Sequence, residues 1–331
     1  MKNTPLYIHI CDPLQEKSLK LLGTLLNGRF QISTGVEIKH QSILDYLICG
    51  RPRKEDIHNC PNLKAVIIPF AGVPSFLAGI LKGHPQISVH NLHHNAVPVV
   101  EHTLALVLAA AKNIIPPHNA LCKNDWRPRY AHNPSVLLQG KTALILGYGE
   151  IGSRLAFIFH ALDMKVVAIR KSITIPSHDS FTDIYPSTAL HTVLPQTDIL
   201  INTLPLTAQT EGMIAEKELA LLPLGSIVVN VGRGKVIDQH AFYNALKNGH
   251  LGAAAIDVWY RYPQNGDSRS NTMPAESPFG QLDNVVLSPY RAGGLNSDAT
   301  ERLRMEHLAH LLNHAARGEP LPNQIDLHQG Y

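Results

Sequence analysis

The chain has 331 residues, of which 44% are apolar and 17% are charged, and its formal net charge at pH 7 is +3. This length exceeds what one typical hydrophobic core supports, so the sequence predicts two domains of an ordinary globular protein. The positive charge is scattered except for a short basic cluster at 51–54 that Pro52 interrupts, so nucleic acid is not expected as a partner.

The four cysteines, Cys11, Cys49, Cys60 and Cys122, show no C-x-x-C spacing, and no charged segment followed by a long apolar one opens the chain. We therefore expect reduced thiols and a cytoplasmic location. The longest uninterrupted apolar run, 104–111, is far shorter than the roughly 20 residues that span a bilayer. It is interpreted as a buried helix, and no membrane association is expected.

Short apolar runs alternate with helix-length segments in the first third of the chain, which favours a parallel sheet with crossover connections. The predicted strands are 7–10, 30–32, 46–49, 65–68 and 87–89. The fourth run leads into a loop at 69–74 that contains Gly72. Because ligands bind beyond the carboxyl ends of parallel strands, this loop could present backbone N–H groups to a carboxylate. A plain strand-to-helix turn explains its position equally well.

Residues 98–115 predict a helix that is apolar almost all round and therefore buried between two bodies. Pro116 and Pro117 are expected to end it, and the first domain boundary is placed there. Residues 118–139 are polar and are interpreted as a surface linker, with a loop near a cleft as the alternative.

The segment 140–152 carries the strongest functional signal. An apolar run at 142–146 precedes Gly147, Gly149 and Gly152, and apolar residues then recur at helical spacing before a second apolar run at 165–169. Strand, G-x-G-x-x-G turn and helix form the unit in which this motif binds a dinucleotide pyrophosphate.

The end of the second strand of this unit indicates which dinucleotide is bound. An acidic residue there would accept a hydrogen bond from the ribose 2′-OH of NAD, but the chain has Arg170, Lys171 and Ser172. Two cations and a hydroxyl favour the 2′-phosphate of NADP(H). The alternative is a solvated strand end and a site that accepts NAD.

The alternation continues with predicted strands 198–202, 226–230, 253–258 and 285–287, which indicate a second doubly wound sheet. A helix is predicted from the N-cap Asp238 to Gly249, and a last helix over 296–317 is expected to pack on the first domain. The polar segment 261–281 is predicted to be a long, functional loop.

Several runs together resemble the D-isomer-specific 2-hydroxyacid dehydrogenases over nearly the whole chain. They are FAGV (70–73), NAVPVVEHTLAL (95–106), GKTALILGYGEIG (140–152), TDILINTLPLTAQTEGMI (197–214), GSIVVNVGRGKVID (225–238), GAAAIDVW (252–259) and LDNVVLSP (282–289). The resemblance implies an α/β fold of two doubly wound parallel-sheet domains. A flavodoxin-like substrate-binding domain would comprise 1–115 plus 296–331, and an inserted NAD(P)-binding Rossmann domain would comprise 116–295. It also implies a homodimer built mostly on the inserted domain.

The resemblance further implies which residues form the site. The amides around Ala71, Gly72 and Val73 would hold a substrate carboxylate, Asn95 would face the substrate, and Arg233 would be the substrate arginine. A fixed guanidinium suits this role because reduction of a 2-oxo acid builds negative charge on the carbonyl oxygen. Asp257 would meet the nicotinamide carboxamide, and no metal is expected. The full cofactor set comprises Gly147, Gly149, Glu150, Ile151, Gly152, Arg170, Lys171, Ser172, Leu204, Pro205, Thr210, Val231, Gly232 and Asp257.

The sequence departs from the family pattern at the proton-transfer pair, where Tyr290 replaces the general-acid histidine and Tyr262 replaces its partner glutamate. A phenol with a pKa near 10 thus replaces an imidazole near 6.5. Tyr290 could still donate a proton if Arg233 or Arg291 lowered its pKa. Alternatively, the site binds its ligands and turns over slowly or not at all, or another histidine among His90, His93, His94 and His102 has taken over.

Two functions follow from these observations. The first is an oxidoreductase that moves a hydride between NADP(H), or alternatively NAD(H), and a small 2-oxo or 2-hydroxy acid of glyoxylate or hydroxypyruvate size, with Arg233, Tyr290 and Tyr262 at the catalytic positions. The second is a catalytically weakened NADP(H)-binding protein with a regulatory or scaffolding role.

Overall fold

The computed structural model describes residues 5–74, 76–132, 135–294 and 297–327. They divide into two compact units: the first unit runs up to Asn95 and resumes at Gly294, and the second unit is Ala96–Gly293. The first division lies earlier than the predicted boundary at 115, because the long apolar helix after Asn95 packs within the second unit.

The first unit is built on a five-stranded parallel sheet. In chain order its elements are β1 (Leu6–Ile10), α1 (Glu16–Leu25), β2 (Phe30–Thr34), β3 (Tyr46–Ile48), α2 (Lys54–His58), β4 (Ala65–Ile68), α3 (Leu77–Leu81) and β5 (Ser88–Asn91). The strand order is β2-β1-β3-β4-β5. This is the flavodoxin-like doubly wound order, so the prediction for this unit is confirmed.

The second unit contains a larger sheet with helices on both faces. Its elements are α4 (Ala96–Ala111), α5 (Ile115–Leu121), α6 (Arg127–Tyr130), β6 (Thr142–Leu146), α7 (Glu150–Ala161), β7 (Lys165–Ile169), β8 (Ser177–His178), β9 (Thr182–Tyr185), α8 (Leu190–Val193), β10 (Ile199–Asn202), α9 (Glu216–Leu221), β11 (Ser226–Asn230), α10 (Gln239–Lys247), β12 (Leu251–Ile256) and β13 (Val285–Leu287). The strand order is β13-β12-β11-β10-β6-β7-β9-β8. From β6 the next strands are added on one side of the sheet, and from β10 they are added on the other, so the direction changes between β10 and β6. That reversal is the switch point at which Rossmann sheets bind their ligands.

The chain then returns to the first unit. The last helix, α11 (Asp298–Arg317), packs against α1 and ends at Gly318, whose φ of 74° is left-handed. Its predicted start at Asn296 lies outside the residues that the structure describes. In the portion described, no single helix is long and apolar enough to cross a bilayer; only α4 and α5, bent by 72° relative to each other, pass that test as a pair on length and composition.

Two predictions about the segment after α4 were wrong. The helix ends at Ala111, before the prolines, and Asn113 has a left-handed φ of 48°. Pro116 and Pro117 instead lie in the first turn of α5, where the missing N–H groups are not needed. The stretch 118–139, interpreted as a linker or loop, contains the end of α5 and all of α6. The hairpin strands β8 and β9, of which β8 forms the sheet edge, were not predicted from the sequence.

Candidate cofactor and substrate site

The glycine turn after β6 has the geometry that pyrophosphate binding requires. Gly147 has a left-handed φ of 96°, which lets the chain turn into α7. A Cβ on Gly152 would lie 2.0 Å from the Gly147 carbonyl oxygen, so only glycine allows this close packing. A Cβ on Gly149, the N-cap of α7, would meet no atom within 4 Å, which leaves space for an anion above the helix N-terminus. The turn therefore fits a dinucleotide.

The other two residues of the turn follow in the first turn of α7. Glu150 is exposed and lies 3.7 Å from Arg154 as a weak ion pair, and Ile151 packs against the core between α4 and the sheet. Both residues were assigned to the cofactor set because of their place in the motif. Their backbone N–H groups lie at the helix start, while the Glu150 carboxylate points to Arg154.

Two exposed cationic side chains and a hydroxyl follow the neighbouring strand β7. Arg170, Lys171 and Ser172 are all exposed, and the Arg170 Nε donates a hydrogen bond to the Ser172 Oγ at 2.8 Å. The Gly147 N–H donates to the Ile169 carbonyl oxygen at 3.0 Å, which ties the glycine turn to the end of this strand. The combination of one fixed guanidinium, one ammonium and one hydroxyl is suited to a phosphate monoester.

Tyr148, within the glycine motif, forms a contact that the sequence did not predict. Its hydroxyl donates to the Asp179 carboxylate and lies 3.3 Å from the Thr182 Oγ1. Burial, together with the hydrogen bond to Asp179, raises the pKa of Tyr148. The β8–β9 hairpin is thereby anchored to the glycine turn.

The loops after β10 and β11 are fixed by two buried asparagines that lie side by side in register. The Asn202 Nδ2 donates to the Asn230 Oδ1 at 2.8 Å, and the Leu204 N–H donates to the Asn202 Oδ1 at 3.1 Å. The Asn230 Nδ2 in turn donates to the carbonyl oxygen of Arg233 at 3.2 Å. The signal in the sequence was one asparagine at the end of each apolar strand, ILIN and SIVVN.

Further assigned cofactor residues lie in the same two loops. A Cβ on Gly232 would lie 2.6 Å from the Leu204 carbonyl oxygen, so the two loops are in backbone contact. The Thr210 Oγ1 donates to the Pro205 carbonyl oxygen at 2.6 Å and closes the first loop on itself. Val231 is buried at the end of β11.

Arg233 follows β11 and is half-buried. Its Nη1 donates to the Gly232 carbonyl oxygen at 2.7 Å, and no salt bridge to it is found among the residues described. The next residue, Gly234, lies so close to Trp259 that a Cβ there would be 2.4 Å from the Trp259 carbonyl oxygen. The guanidinium is therefore carried on a rigid loop while most of its donors stay available to a ligand.

Asp257 lies beyond β12 and is only 2% exposed. Its carboxylate accepts hydrogen bonds from the Ser288 hydroxyl and from the backbone N–H groups of Arg291 and Ala292, at 2.8 and 3.0 Å. The His102 Nε2 is 2.9 Å from the Ser288 Oγ and 3.6 Å from the Asp257 carboxylate. Because the Ser288 proton points to Asp257, the His102 Nε2 must be the donor to Ser288. This network holds the 288–292 loop.

That loop carries Tyr290, whose backbone has a left-handed φ of 58°. Tyr290 is 45% exposed and Tyr262 is 39% exposed, and their rings meet edge to face with centroids 5.4 Å apart. The Tyr262 hydroxyl accepts a hydrogen bond from the Trp259 N–H at 2.8 Å, and burial raises the pKa of Tyr262. Tyr262 is therefore a poor proton donor, whereas the Tyr290 ring is accessible.

The substrate residues assigned to the first unit lie at the carboxyl edge of its sheet. Ala71, Gly72 and Val73 form the turn after β4, and the Asn91 Nδ2 donates to the Ala71 carbonyl oxygen at 2.7 Å. Asn95 is half-buried at the end of this unit. The loop therefore follows β4 at the carboxyl end of the sheet, and its binding of a substrate carboxylate stays a prediction.

The histidines considered as replacement acids occupy different environments. His90 is buried and hydrogen-bonded to the Pro322 carbonyl oxygen and the Ser88 hydroxyl, and His94 is buried in the first unit. His93 is half-buried in the same segment. His102 alone of the four lies in the second unit, where it faces Ser288 and Asp257. The structure of the described residues contains no group of three or more His, Cys, Asp or Glu side chains that could hold a metal ion.

The second unit thus gathers the glycine turn, the Arg170 cluster, the 204–210 and 231–233 loops, Asp257 and Tyr290 at the carboxyl edge of one sheet. Sequence reasoning missed the supporting contacts: the asparagine pair, the Ser288 hydroxyl and the Tyr148–Asp179 anchor. All of them are pairwise contacts across loops that are distant in sequence.

Comparison with known proteins agrees with this arrangement. Residues 104–292 match the family model of the D-isomer specific 2-hydroxyacid dehydrogenase, NAD binding domain. The chain is 26% identical to D-3-phosphoglycerate dehydrogenase of Methanocaldococcus jannaschii over 97% of its own length, and 35% identical to glyoxylate reductase of Aeropyrum pernix over 68%. It spans 59% and 65% of the lengths of these two relatives.

A solved structure shows the same fold. The D-isomer specific 2-hydroxyacid dehydrogenase of Xanthobacter autotrophicus Py2, determined in complex with NADPH and MES, superposes with a TM-score of 0.79 at 24% identity and covers 99% of this chain and 100% of its own. The second unit carries the family's nicotinamide dinucleotide-binding domain, and the model match covers more than half of the sequence. The chain belongs to the D-isomer specific 2-hydroxyacid dehydrogenase family of oxidoreductases.

Proposed function

We propose that the protein reduces a small 2-oxo acid of glyoxylate or hydroxypyruvate size with NADPH. The observation that carries this proposal is Arg233, a half-buried residue at the same sheet edge as the glycine turn. Its guanidinium donates to the Gly232 carbonyl oxygen, and its backbone carbonyl oxygen accepts a hydrogen bond from Asn230. The similarity to glyoxylate reductase of Aeropyrum pernix supports the substrate class.

The bound cofactor would supply the hydride, and the chain's own residues would do the rest. Arg233 would hold the carboxylate and the carbonyl oxygen, and so stabilise the charge that grows on that oxygen during reduction. We also propose that the backbone N–H groups of Ala71, Gly72 and Val73 bind a substrate carboxylate. Tyr290 would donate its phenolic proton to the carbonyl oxygen, while Tyr262, bonded to the Trp259 N–H, would support the Tyr290 ring.

Cofactor selection would rest on Arg170, Lys171 and Ser172. The Arg170–Ser172 hydrogen bond at 2.8 Å pre-orients two donors, and no carboxylate follows β7 directly to accept a ribose hydroxyl. Both features favour NADPH over NADH. Asp257, whose carboxylate accepts three hydrogen bonds from the 288–292 loop, would orient the nicotinamide end while it fixes that loop.

A second function is favoured by the state of the proton-transfer pair. Tyr262 has a raised pKa and its hydroxyl accepts a hydrogen bond from the Trp259 N–H, while the His102 ring is hydrogen-bonded to Ser288. A site that carries tyrosines in place of the imidazole and its carboxylate partner would bind NADPH and a carboxylate with little turnover. The protein would then act as an NADP(H)-dependent regulator or scaffold.

One experiment separates the two functions. NADPH oxidation is measured against a panel of 2-oxo acids, beside a fluorescence titration of NADPH binding, for the wild type and Arg233→Ala. Reductase function predicts turnover that Arg233→Ala abolishes while NADPH affinity stays nearly unchanged, because the partner of Arg233 is the substrate. Binding without turnover by the wild type selects the second function. Parallel loss of NADPH binding and activity would make Arg233 a structural residue.

We also infer a homodimer formed through the second unit. The segment 114–137 exposes large apolar side chains, among them Ile114, Leu121, Trp126, Tyr130 and Leu137, and such surfaces mark association sites. Light scattering should give twice the chain mass. Trp126→Asp should shift the protein toward the monomer, whereas Leu224→Asp, at a residue 80% exposed elsewhere in the unit, should not. A monomeric wild type would refute the inference.

A further inference from the structure

Two cysteines far apart in sequence end neighbouring strands of the first unit. Strands β1 and β3 pair in parallel with Ile10 opposite Ile48, and Cys11 and Cys49 are the next residues on each. The Cys11 N–H donates to the Ile48 carbonyl oxygen at 2.9 Å, so the pairing extends to the cysteines.

The two cysteine side chains lie on the same face of the sheet. Ile10 and Ile48 belong to the core on one face, whereas Cys49 belongs to the core on the other face and Cys11 packs against it. Neighbouring strands run about 4.8 Å apart, and disulfides join Cα atoms that are about 4.4 to 6.8 Å apart. The expected Cα spacing of the two cysteines therefore lies within the range that disulfides join.

The two side chains also interact electrostatically. The interaction with Cys11 lowers the pKa of Cys49; burial opposes this effect, and a hydrogen bond from the Arg51 backbone N–H adds to it. The same interaction, together with burial, raises the pKa of Cys11. Cys49 is 5% exposed while Cys11 is half-buried, so small molecules reach the pair from the Cys11 side.

We propose that Cys11 and Cys49 form a peroxide-sensitive dithiol site that closes to a disulfide. The Cys49 thiolate attacks one oxygen of hydrogen peroxide, the O–O bond breaks, and a Cys49 sulfenic acid forms with release of one water after protonation. The Cys11 sulfur then attacks the Cys49 sulfur, the S–O bond breaks, and the second water leaves with the Cys11 proton. In total, two thiols and one peroxide give one disulfide and two waters.

The site lies next to the loop that the proposed function assigns to the substrate carboxylate. The residues after the cysteines, Asp12 and Gly50, are joined by a hydrogen bond from the Gly50 N–H to the Asp12 carboxylate at 3.3 Å. A Cβ on Gly50 would lie 3.0 Å from the Phe70 ring, and Val73 packs on the same core as Cys49. A covalent bond between the cysteines would therefore change the packing at both ends of the 70–73 loop.

The first test is chemical and does not depend on activity. The full-length protein is treated with hydrogen peroxide, the remaining thiols are alkylated, and the products are mapped by mass spectrometry. We expect the loss of two hydrogens and a crosslinked peptide that joins Cys11 to Cys49, reversed by dithiothreitol. Cys60→Ser and Cys122→Ser should retain the crosslink, and Cys11→Ser should replace it with a Cys49 sulfenic acid that dimedone traps.

Other products would overturn the proposal: a disulfide to Cys60 or Cys122, oxidation of Cys122 alone, or two free thiols at Cys11 and Cys49 after treatment. These outcomes are read on the wild type, so the result stands even if a serine variant at the buried Cys49 does not fold.

The second test, which rests on the proposed function, asks what the disulfide does. The oxidised protein should show a several-fold higher KM for the 2-oxo acid with an unchanged Kd for NADPH, and altered hydrogen exchange in the 70–74 loop. If no 2-oxo acid is reduced at all, the proposed function fails. The crosslink and the hydrogen-exchange results do not depend on activity, so they still test the dithiol site. An unchanged KM and an unchanged exchange pattern would refute the coupling to the loop.

Discussion

Arg170 is the residue on which cofactor preference should depend. Its guanidinium is exposed and pre-oriented by Ser172, and each charge-assisted hydrogen bond to a 2′-phosphate contributes roughly 1.5 to 3 kcal/mol. We expect the wild type to bind NADPH at least about tenfold more tightly than NADH, and Arg170→Asp to reverse the preference. Fluorescence titration of both cofactors measures this.

The matched control is Lys217→Asp, which makes the same kind of charge reversal at an exposed position on α9. It should leave the ratio of the two dissociation constants unchanged. Equal affinities of the wild type for NADPH and NADH would contradict the assignment of the Arg170 cluster.

At Tyr290, residue chemistry predicts a gain of activity on substitution. If proton donation limits the rate, Tyr290→His should raise kcat near pH 7, because an imidazole pKa near 6.5 suits that pH better than a phenol pKa near 10. The left-handed backbone at φ 58° does not oppose the change, since histidine adopts this conformation more readily than most residues. Steady-state kinetics with NADPH and a 2-oxo acid give the answer.

The partner position decides how large the gain is. Tyr262→Glu would place a carboxylate where an edge-to-face ring now meets residue 290, and that carboxylate could orient and charge an imidazole there. The double variant should therefore lower the activation free energy by more than the sum of the two single variants. A lower kcat for Tyr290→His would instead show that the phenol is the adapted donor.

At the scale of elements, the junction of β6 and α7 depends on two glycines for different reasons. Gly152→Ala would place a Cβ 2.0 Å from the Gly147 carbonyl oxygen, so strand and helix must separate, and we expect a loss of stability of the order of 1–3 kcal/mol or more. Urea unfolding followed by circular dichroism measures this loss.

Gly149→Ala is its control. A Cβ there meets nothing within 4 Å, and φ at this residue is −107°, which an alanine can adopt. This variant should keep the wild-type stability and lose affinity for NADPH, because the methyl group occupies the space above the helix N-terminus. Equal stability losses in the two variants would contradict the packing argument.

For the whole molecule, His94 makes stability depend on pH. Burial, reinforced by the nearby charges of Arg304, His307 and His93, lowers the pKa of His94 from 6.5 to about 4. The unfolded chain therefore binds a proton at a higher pH than the folded one, and stability falls as the pH drops from about 6.5 through 4. The lowering corresponds to about 3 kcal/mol at most.

Urea unfolding between pH 7 and pH 4 tests this prediction. His94→Leu should flatten the dependence in this window, and His132→Gln, at an exposed histidine, should follow the wild type. Carboxylates with lowered pKa values, such as Asp56, lose their contribution to stability at more acidic pH. They are present in all three proteins, so they do not affect the comparison. If the stability of His94→Leu fell with pH as steeply as that of the wild type, His94 would be excluded as the cause.

The sequence by itself determined the fold class and the course of the main strands. Apolar runs bounded by polar residues fixed strands such as β4, β6, β7 and β11 to the residue, because a strand buried on both faces must be continuously apolar. It also determined the glycine turn and the Asp238 cap of α10, whose carboxylate accepts from the His240 and Ala241 N–H groups. These features depend on neighbours in the chain.

Only the tertiary structure decided the rest. It assigned α4 to the second unit and placed Pro116 and Pro117 at a helix start. It also paired Tyr148 with Asp179 and Asn202 with Asn230, and it brought Cys11 and Cys49 to the ends of paired strands. The physical reason is the same in each case. A strand or a turn is specified by local hydrophobicity and backbone sterics, whereas a contact between two loops depends on the order of the strands, and that order is set by how the whole sheet buries its faces.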